Sequence, residues 1–587
     1  MKTIQSSKTW GVGAARWGCV AAAAVLLAAC GAGGSGDSGG GTTTTTTTEP
    51  PSQEGASRFL AQSTFGPTSA SIDQLAASNY SAWIDAQFAK PQTLHRATLN
   101  QAAADLAATG GTLSPTNFYD SYWQQAVTAD DQLRQRAAFA LSQIFVISFA
   151  DATLRNQPRG VASYYDLLGE KAFGNFRDLL EAVALHPMMG IYLSHLKNQK
   201  EDAATGRVPD LNFAREITQL FTIGQYQLNA NGSTVNGSNG SAAAAYVPAD
   251  LSGLSQVFTG WSWYAGPALT DRTNRRFFGS DAQPERDWRP MQAYNEYAPN
   301  TSFHSISAKN FLGVTIAAQT APNTEGDLKI ALDTLFNHPN VGPFIGKQLI
   351  QRLVTSNPSP EYVARVTAAF NDNGAGVRGD MKAVWRAILL DTEARTLSTA
   401  ATSGKLREPL VRLAHFLRAF KATSTSGNFT GIGNTDDPAT RLNQTPMTAP
   451  SVFNFYRPGY VPTSQAISAA GVVVPELQIT HDVSVAGYMN YLRSWVTMNT
   501  TRDIQQDYSA ELALADTPSA LVDRMNLLLF SGTMPDALRT QLVGAVTSRA
   551  IPAATATNQA AINTAKLDRV CLAVFLSMSS PDYLIQK

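Results

Sequence analysis

Three groups of residues in this chain have the types and spacing to do chemistry. The first lies in "PDLNFAREITQLFTIG", Pro209–Gly224, which places Arg215 beside Glu216 in a helical pattern. At ~100° per residue, Phe213, Ile217, Leu220 and Phe221 share one face, Glu216 falls on its edge and Arg215 points nearly opposite. The two neighbours therefore cannot pair with each other. Glu216 is expected to be partly buried, and such a carboxylate is either paired structurally or tuned for proton transfer. The second group lies in "FHSISAKNFLG", where His304 and Lys309 are five residues apart in an expected loop. His304 could act as a general base or hydrogen-bond donor with Lys309 beside it, or could simply hold backbone. The third is aromatic: Trp261, Trp263, Tyr264, Phe277, Phe278 and Trp288 interleave with five arginines between Arg272 and Arg289. Exposed rings there would suit a glycan or other polymer; otherwise they form a satellite core under a long loop.

Other catalytic signatures are missing. The folded part carries no G-x-S-x-G elbow, no H-E-x-x-H helix and no P-loop. Ser194–Lys197 satisfies S-x-x-K without its companion elements. The seven histidines are scattered, and no His/Cys/carboxylate spacing predicts a metal site or another cofactor. His186 and His338 each precede a proline at a helix break, where capping is the expected role.

The elements that must position these residues are helical. Leu133, Ala137, Ala140, Leu141 and Ile144 recur at three- and four-residue spacing, and the same period returns before and after His186 and His338. No βαβ rhythm is present. The class is mainly α: a large multi-helix domain over 53–587, with a long irregular aromatic-rich loop and at most a small hairpin near Phe277 or Phe303. A division into two subdomains is expected near 315–325. Asn212 should cap the helix that carries Glu216, and Gly224 should end it in a left-handed conformation. Residues 164–196 are expected to form two helices broken at His186-Pro187. The Gly/Asn/Ser stretch 229–245 is expected to be a mobile loop.

The N-terminus predicts a compartment. Lys2, Lys8 and Arg16 precede an apolar run, Trp17–Ala29, that rises only ~20 Å as a helix and is too short to span a bilayer. It ends in "LAAC", which resembles a bacterial lipobox. That implies a signal peptide over 1–29 and lipidation of Cys30, and Gly31 in the following position points to the outer membrane. Residues 30–52, rich in Gly, Ser and Thr, form a tether, reaching roughly 25 Å as a coil. With Cys19 in the leader and Cys30 acylated, Cys571 is left without a disulfide partner and is expected to be an inert buried thiol. The chain has 587 residues, 44% of them hydrophobic and 15% charged, enough apolar content for a large core. The leader takes three of the 45 basic residues and no acid, leaving 42 against 45 acidic. Nothing in that balance favours nucleic acid.

Several motifs fall in a known order. They include "SRFLAQSTFGPTSASIDQL" at Ser57, "LRQRAAFALSQIFVIS" at Leu133, "NFAREITQLFTIG" at Asn212, "FHSISAKNFLG" at Phe303, "KLREPLVRLAHFLRAF" at Lys405 and "PSVFNFYRPGYVP" at Pro450. Together they resemble the bacterial family called domain of unknown function 1800, from Ser57 to the C-terminus. The resemblance implies a mostly helical exported protein with no established reaction. It also implies genes that often neighbour a second exported family, 1501, similar to alkaline phosphatases and sulfatases. The family's N-x-A-R-E falls on Asn212, Ala214, Arg215 and Glu216. Its H-D-x-x-x-K falls on His304, Ser305 and Lys309, with Ser305 in place of the Asp, which weakens any His-Asp mechanism. The 229–245 loop is longer than the family pattern implies.

The expected product is a lipid-anchored envelope protein with a binding or assembly role. Its partner would be an exported phosphatase-like or sulfatase-like enzyme, or an extracellular polymer such as a polysaccharide. Trp261, Trp263, Trp288, Arg215 and Lys309 would contribute to binding. The alternative is a hydrolase of surface or environmental polymers that uses Glu216 and His304 around one pocket. A third possibility, a purely structural envelope protein, needs neither site.

Overall fold

The computed structural model describes residues 49–266, 277–278, 285–294, 303–400, 402–463 and 465–587. The leader, Cys30 and most of the tether lie outside them. The first helix, Gln53–Ser63, opens where the tether composition ends, and the Ser52 hydroxyl caps it by accepting from the Gly55 N–H.

Helices dominate because the apolar period does: the described residues hold 24 helices and are 51% helical. Three of them, Gln132–Ser142, Val341–Leu353 and Pro409–Ala419, are buried along most of their length. They carry Arg136, Arg352, Arg412 and Arg418 into the interior, where polar groups must find partners. The hydrophobic core draws residues from both sides of 315–325. Distant segments are also tied together: the Ser57 hydroxyl donates to the Leu527 carbonyl, and Lys405–Leu406 pairs antiparallel with Ile585–Gln586.

Among the described residues, strands occur only as four two-stranded antiparallel pieces, and one of these is the expected hairpin. It joins Lys309–Phe311 to Val314–Ile316, just after Phe303. Lys309 and Phe311 face inward and Asn310 outward. The helix Pro248–Val257 lies on this hairpin at Gly253, where a Cβ would stand 1.9 Å from the Asn310 carbonyl oxygen. Only a glycine permits that approach.

Three local expectations are corrected. Residues 158–192 form three helices, because Asn175 starts a new one by accepting from the Arg177 N–H. Asn212 is the first residue of its helix and not its cap, since the Asp210 carboxylate accepts from the Asn212 N–H at 2.7 Å. That helix ends at Gln219, and Gly224 takes its left-handed conformation, φ +74°, four residues beyond the Leu220 cap. The 229–245 stretch is bridged backbone to backbone, with Tyr226 opposite Ala244, Leu228 opposite Thr234 and Asn236 opposite Ala242. His186 caps as expected, its Nδ1 accepting from the Met188 N–H. Gly374–Gly379 has G-x-G-x-x-G spacing, but it joins two helices and follows no strand, so it lacks the setting of a dinucleotide site.

Candidate functional site

The structure places the residues singled out above in separate environments. Glu216 is 5% exposed, and its carboxylate has no ion pair or side-chain hydrogen bond among the described residues. Burial raises its pKa against the weaker opposing pull of Arg215. Arg215 is exposed and lines an open groove with Ser194, Lys197 and Asn212. His304 and Lys309 are fully buried, and both meet a carboxylate the sequence reading passed over, that of Asp327. Asp327 Oδ2 lies 3.0 Å from His304 Nε2 and 2.8 Å from Lys309 Nζ, and Oδ1 accepts from the Gln319 amide. Burial pushes the Asp327 carboxyl up, but these donors hold it below its ordinary value. Ser305, in the family's Asp position, donates its hydroxyl to Glu201. His304 Nδ1 lies 2.9 Å from the Thr259 carbonyl oxygen. This cluster knits a loop, a hairpin and the first turn of the helix Thr324–Asn337.

The aromatic residues are mostly packed. Trp261 belongs to the main core and Trp263 leans on it under the Arg286 guanidinium. Trp288 stands with Arg96 and Arg159 over its ring. Phe277, Tyr294 and Phe303 form a satellite cluster. Cys571 is half-buried, its thiol pushed up to about 11 by burial.

A concavity of about 620 Å³ lies elsewhere. Neither Glu216 nor His304 lines it. Its walls come from the end of the Glu216 helix (Gln219, Leu220), the bridged loop (Tyr226, Leu228, Thr234), the helix Val341–Leu353 (Phe344 to Arg352) and the stretch 452–459. Asn340 secures the loop: its amide donates to the Ile223 and Tyr226 carbonyls, and its Oδ1 accepts from the Leu228 N–H.

Beneath the cavity floor is a second buried ionic cluster. Glu408, 0% exposed, precedes Pro409 at a helix start, and Glu476, 1% exposed, follows Pro475. Lys405 Nζ lies 3.0 Å from Glu476 and 4.0 Å from Glu408. Burial raises both carboxyls. Lys405, Arg136 and Arg352 outweigh it at Glu408, which sits below its ordinary value, while Glu476 remains above. Gln143 Nε2 donates to Glu408 at 2.5 Å. An ionised carboxylate only accepts, so this contact orients the amide and leaves Gln143 Oε1 as the free end. Gln351 Nε2 likewise donates to the Ser356 and Pro458 carbonyls. The buried Gln143 Oε1, Gln351 Oε1 and Arg352 Nε have no partner, and all three residues line the cavity. The cluster thus fixes the side chains that underlie the cavity floor, where these three atoms are buried. Among the described residues no group of three or more His, Cys, Asp and Glu is arranged to hold a metal ion. A signal for this site was present in "REP" and "PE", acids beside prolines at helix starts, but nothing in the sequence joined the two.

The fold and this floor define a mainly helical protein with a buried ionic cluster under an open cavity. The chain belongs to the family described as protein of unknown function (DUF1800), which matches residues 58–585. Comparison with curated proteins and with solved structures finds no match.

Two outcomes follow for the buried charges. Glu216→Gln is expected to leave thermal stability at neutral pH unchanged or raised. The folded Glu216 keeps its proton to higher pH than in the unfolded chain, so wild type should lose stability relative to the variant as pH rises from about 4.3 through the raised value. A loss of roughly 3 kcal/mol or more in urea unfolding would instead reveal a buried ion pair. Lys405→Met should cost about 3–5 kcal/mol at neutral pH, because two buried carboxylates lose their shared ammonium. Glu408 has a depressed pKa, so its contribution is present above about 4.3 and lost as pH falls through its folded value. The gap between Lys405→Met and wild type should therefore narrow in acid. A gap that is constant with pH would detach Lys405 from the carboxylates.

Proposed function

We propose that this protein is a lipid-anchored envelope protein whose cavity holds a segment of extracellular polysaccharide. The observation that carries this reading is the cavity lining. Gln219 and Gln225 supply amides, and Tyr226 and Phe453, 47% and 37% exposed, supply rings. Amide oxygens accept from sugar hydroxyls and aromatic faces pack on the apolar faces of sugar rings. No Asp, Glu or His is among the lining residues. A hydrolase would need an acid and a base within reach of the bond it breaks. The raised Glu476 and lowered Glu408 favour hydrolysis as the second reading, since two carboxyls pushed apart in pKa can share acid and base roles. Both, however, are closed off and bound to Lys405 or to amides.

Binding of the full chain to polysaccharides, followed by affinity electrophoresis, tests the reading. Tyr226→Ala/Phe453→Ala should weaken binding ~10-fold, equivalent to about 1.4 kcal/mol, with little change in melting. Unaltered binding in this variant would remove the cavity from the reading. Release of new reducing ends by wild type, abolished by Glu476→Gln, would favour the hydrolase.

The anchor through Cys30 is part of the same proposal. Cys30→Ala should move the protein from the membrane fraction to the soluble fraction of the envelope. Retention of the variant in the membrane would show that another feature holds it there.

A further inference from the structure

We propose that the polymer held in this cavity is anionic, an acidic polysaccharide bearing carboxylate or sulfate groups; the proposal rests on the polysaccharide-binding reading. Lys347, Arg352 and Arg457 line the cavity, and none of the three is ion-paired among the described residues. Buried lysines elsewhere in the chain are paired: Lys309 with Asp327, and Lys405 with Glu476. Lys347 and Arg457 are exposed. Arg457 is braced over the Phe453 ring, with 4.7 Å to the centroid. Arg352 at the floor is held over the Tyr456 ring and donates to the Gln143 carbonyl, which fixes its plane while Nε stays unpartnered.

Positive groups around a concave site concentrate their field on what enters. The guanidinium fork matches the oxygens of a carboxylate or a sulfate. The chain as a whole is close to neutral, with 45 basic and 45 acidic residues, so this preference belongs to the cavity and not to a generally cationic surface.

The test compares the full chain's affinity for polygalacturonate, chondroitin sulfate and dextran, at low and high salt. The acidic polymers should bind at least ~10-fold more tightly than dextran, and the advantage should fall with salt. Lys347→Met/Arg457→Gln should remove the preference while melting is unchanged, and Arg493→Gln, an exposed cation outside the cavity, should preserve it. The tighter of the two acidic polymers identifies the anionic group. Equal binding of dextran, unaffected by the double variant, would overturn the charge inference and leave polysaccharide binding standing. No binding of any of the three polymers would overturn both. Loss of the preference in Arg493→Gln would show diffuse attraction and overturn the site.

Discussion

The ammonium of Lys405 is the point on which the middle of this molecule is built. It meets Glu476 and Glu408, and it also donates to the Arg352 carbonyl at 2.9 Å. That carbonyl takes a second donor, Arg136, at 2.8 Å, and the next carbonyl, Leu353, accepts from the Gln586 amide at 2.7 Å. The last turn of the helix Val341–Leu353 is thus satisfied by groups from three distant parts of the chain. Terminal carbonyls of a helix carry partial negative charge and need donors, and cations suit them best. Burying two carboxylates costs several kcal/mol each, and the surrounding cations offset it only if all are held in place together. The position of this helix, and with it the cavity wall from Phe344 to Arg352, depends on that arrangement.

The Asp327 cluster uses the same design to a different end. Asp327 lies in the first turn of the helix Thr324–Asn337, Glu408 immediately precedes the helix Pro409–Ala419, and Glu476 lies in a short 3-10 turn after Pro475. Each buried carboxylate is therefore near a helix start, where the dipole favours negative charge, and each meets a buried lysine. At Asp327 the partners close the shell, since His304, Lys309 and Gln319 all bond to it and no wall of the large cavity includes them. At Glu408 the shell continues outward through Gln143, which belongs to both the cluster and the cavity floor. One cluster serves as an internal joint and the other also sets the chemistry of a surface.

The bridged loop supplies much of what is particular to this cavity. Its base is held by Asn340, and Gly224 permits the entry turn because a Cβ there would come within 2.9 Å of the Phe344 ring. The composition, rich in Gly, Asn and Ser, suggests mobility because such residues bury little. The backbone ladder across it uses main-chain groups that composition does not report. Ordering of this kind depends on pairing within the loop and on a clamp more than a hundred residues downstream.

The helical class, the start of the folded part at Gln53, the cap at His186, and the opposed directions of Arg215 and Glu216 were legible in the sequence. All of these follow from periodicity and from interactions within a few residues, which a linear chain displays directly. The hairpin that carries Lys309 was legible only as a possibility near Phe303. The buried environment of His304, its union with Asp327, and the Lys405–Glu408–Glu476 cluster were decided by tertiary structure. So was the cavity, whose walls come from residues as far apart as Gln143 and Val473. The physical reason is that a charge shows its identity in the sequence, whereas its partner, its dielectric surroundings and its access to solvent depend on which remote segments pack around it. By itself the sequence determined what each residue could do; only packing decided which residues would do it together.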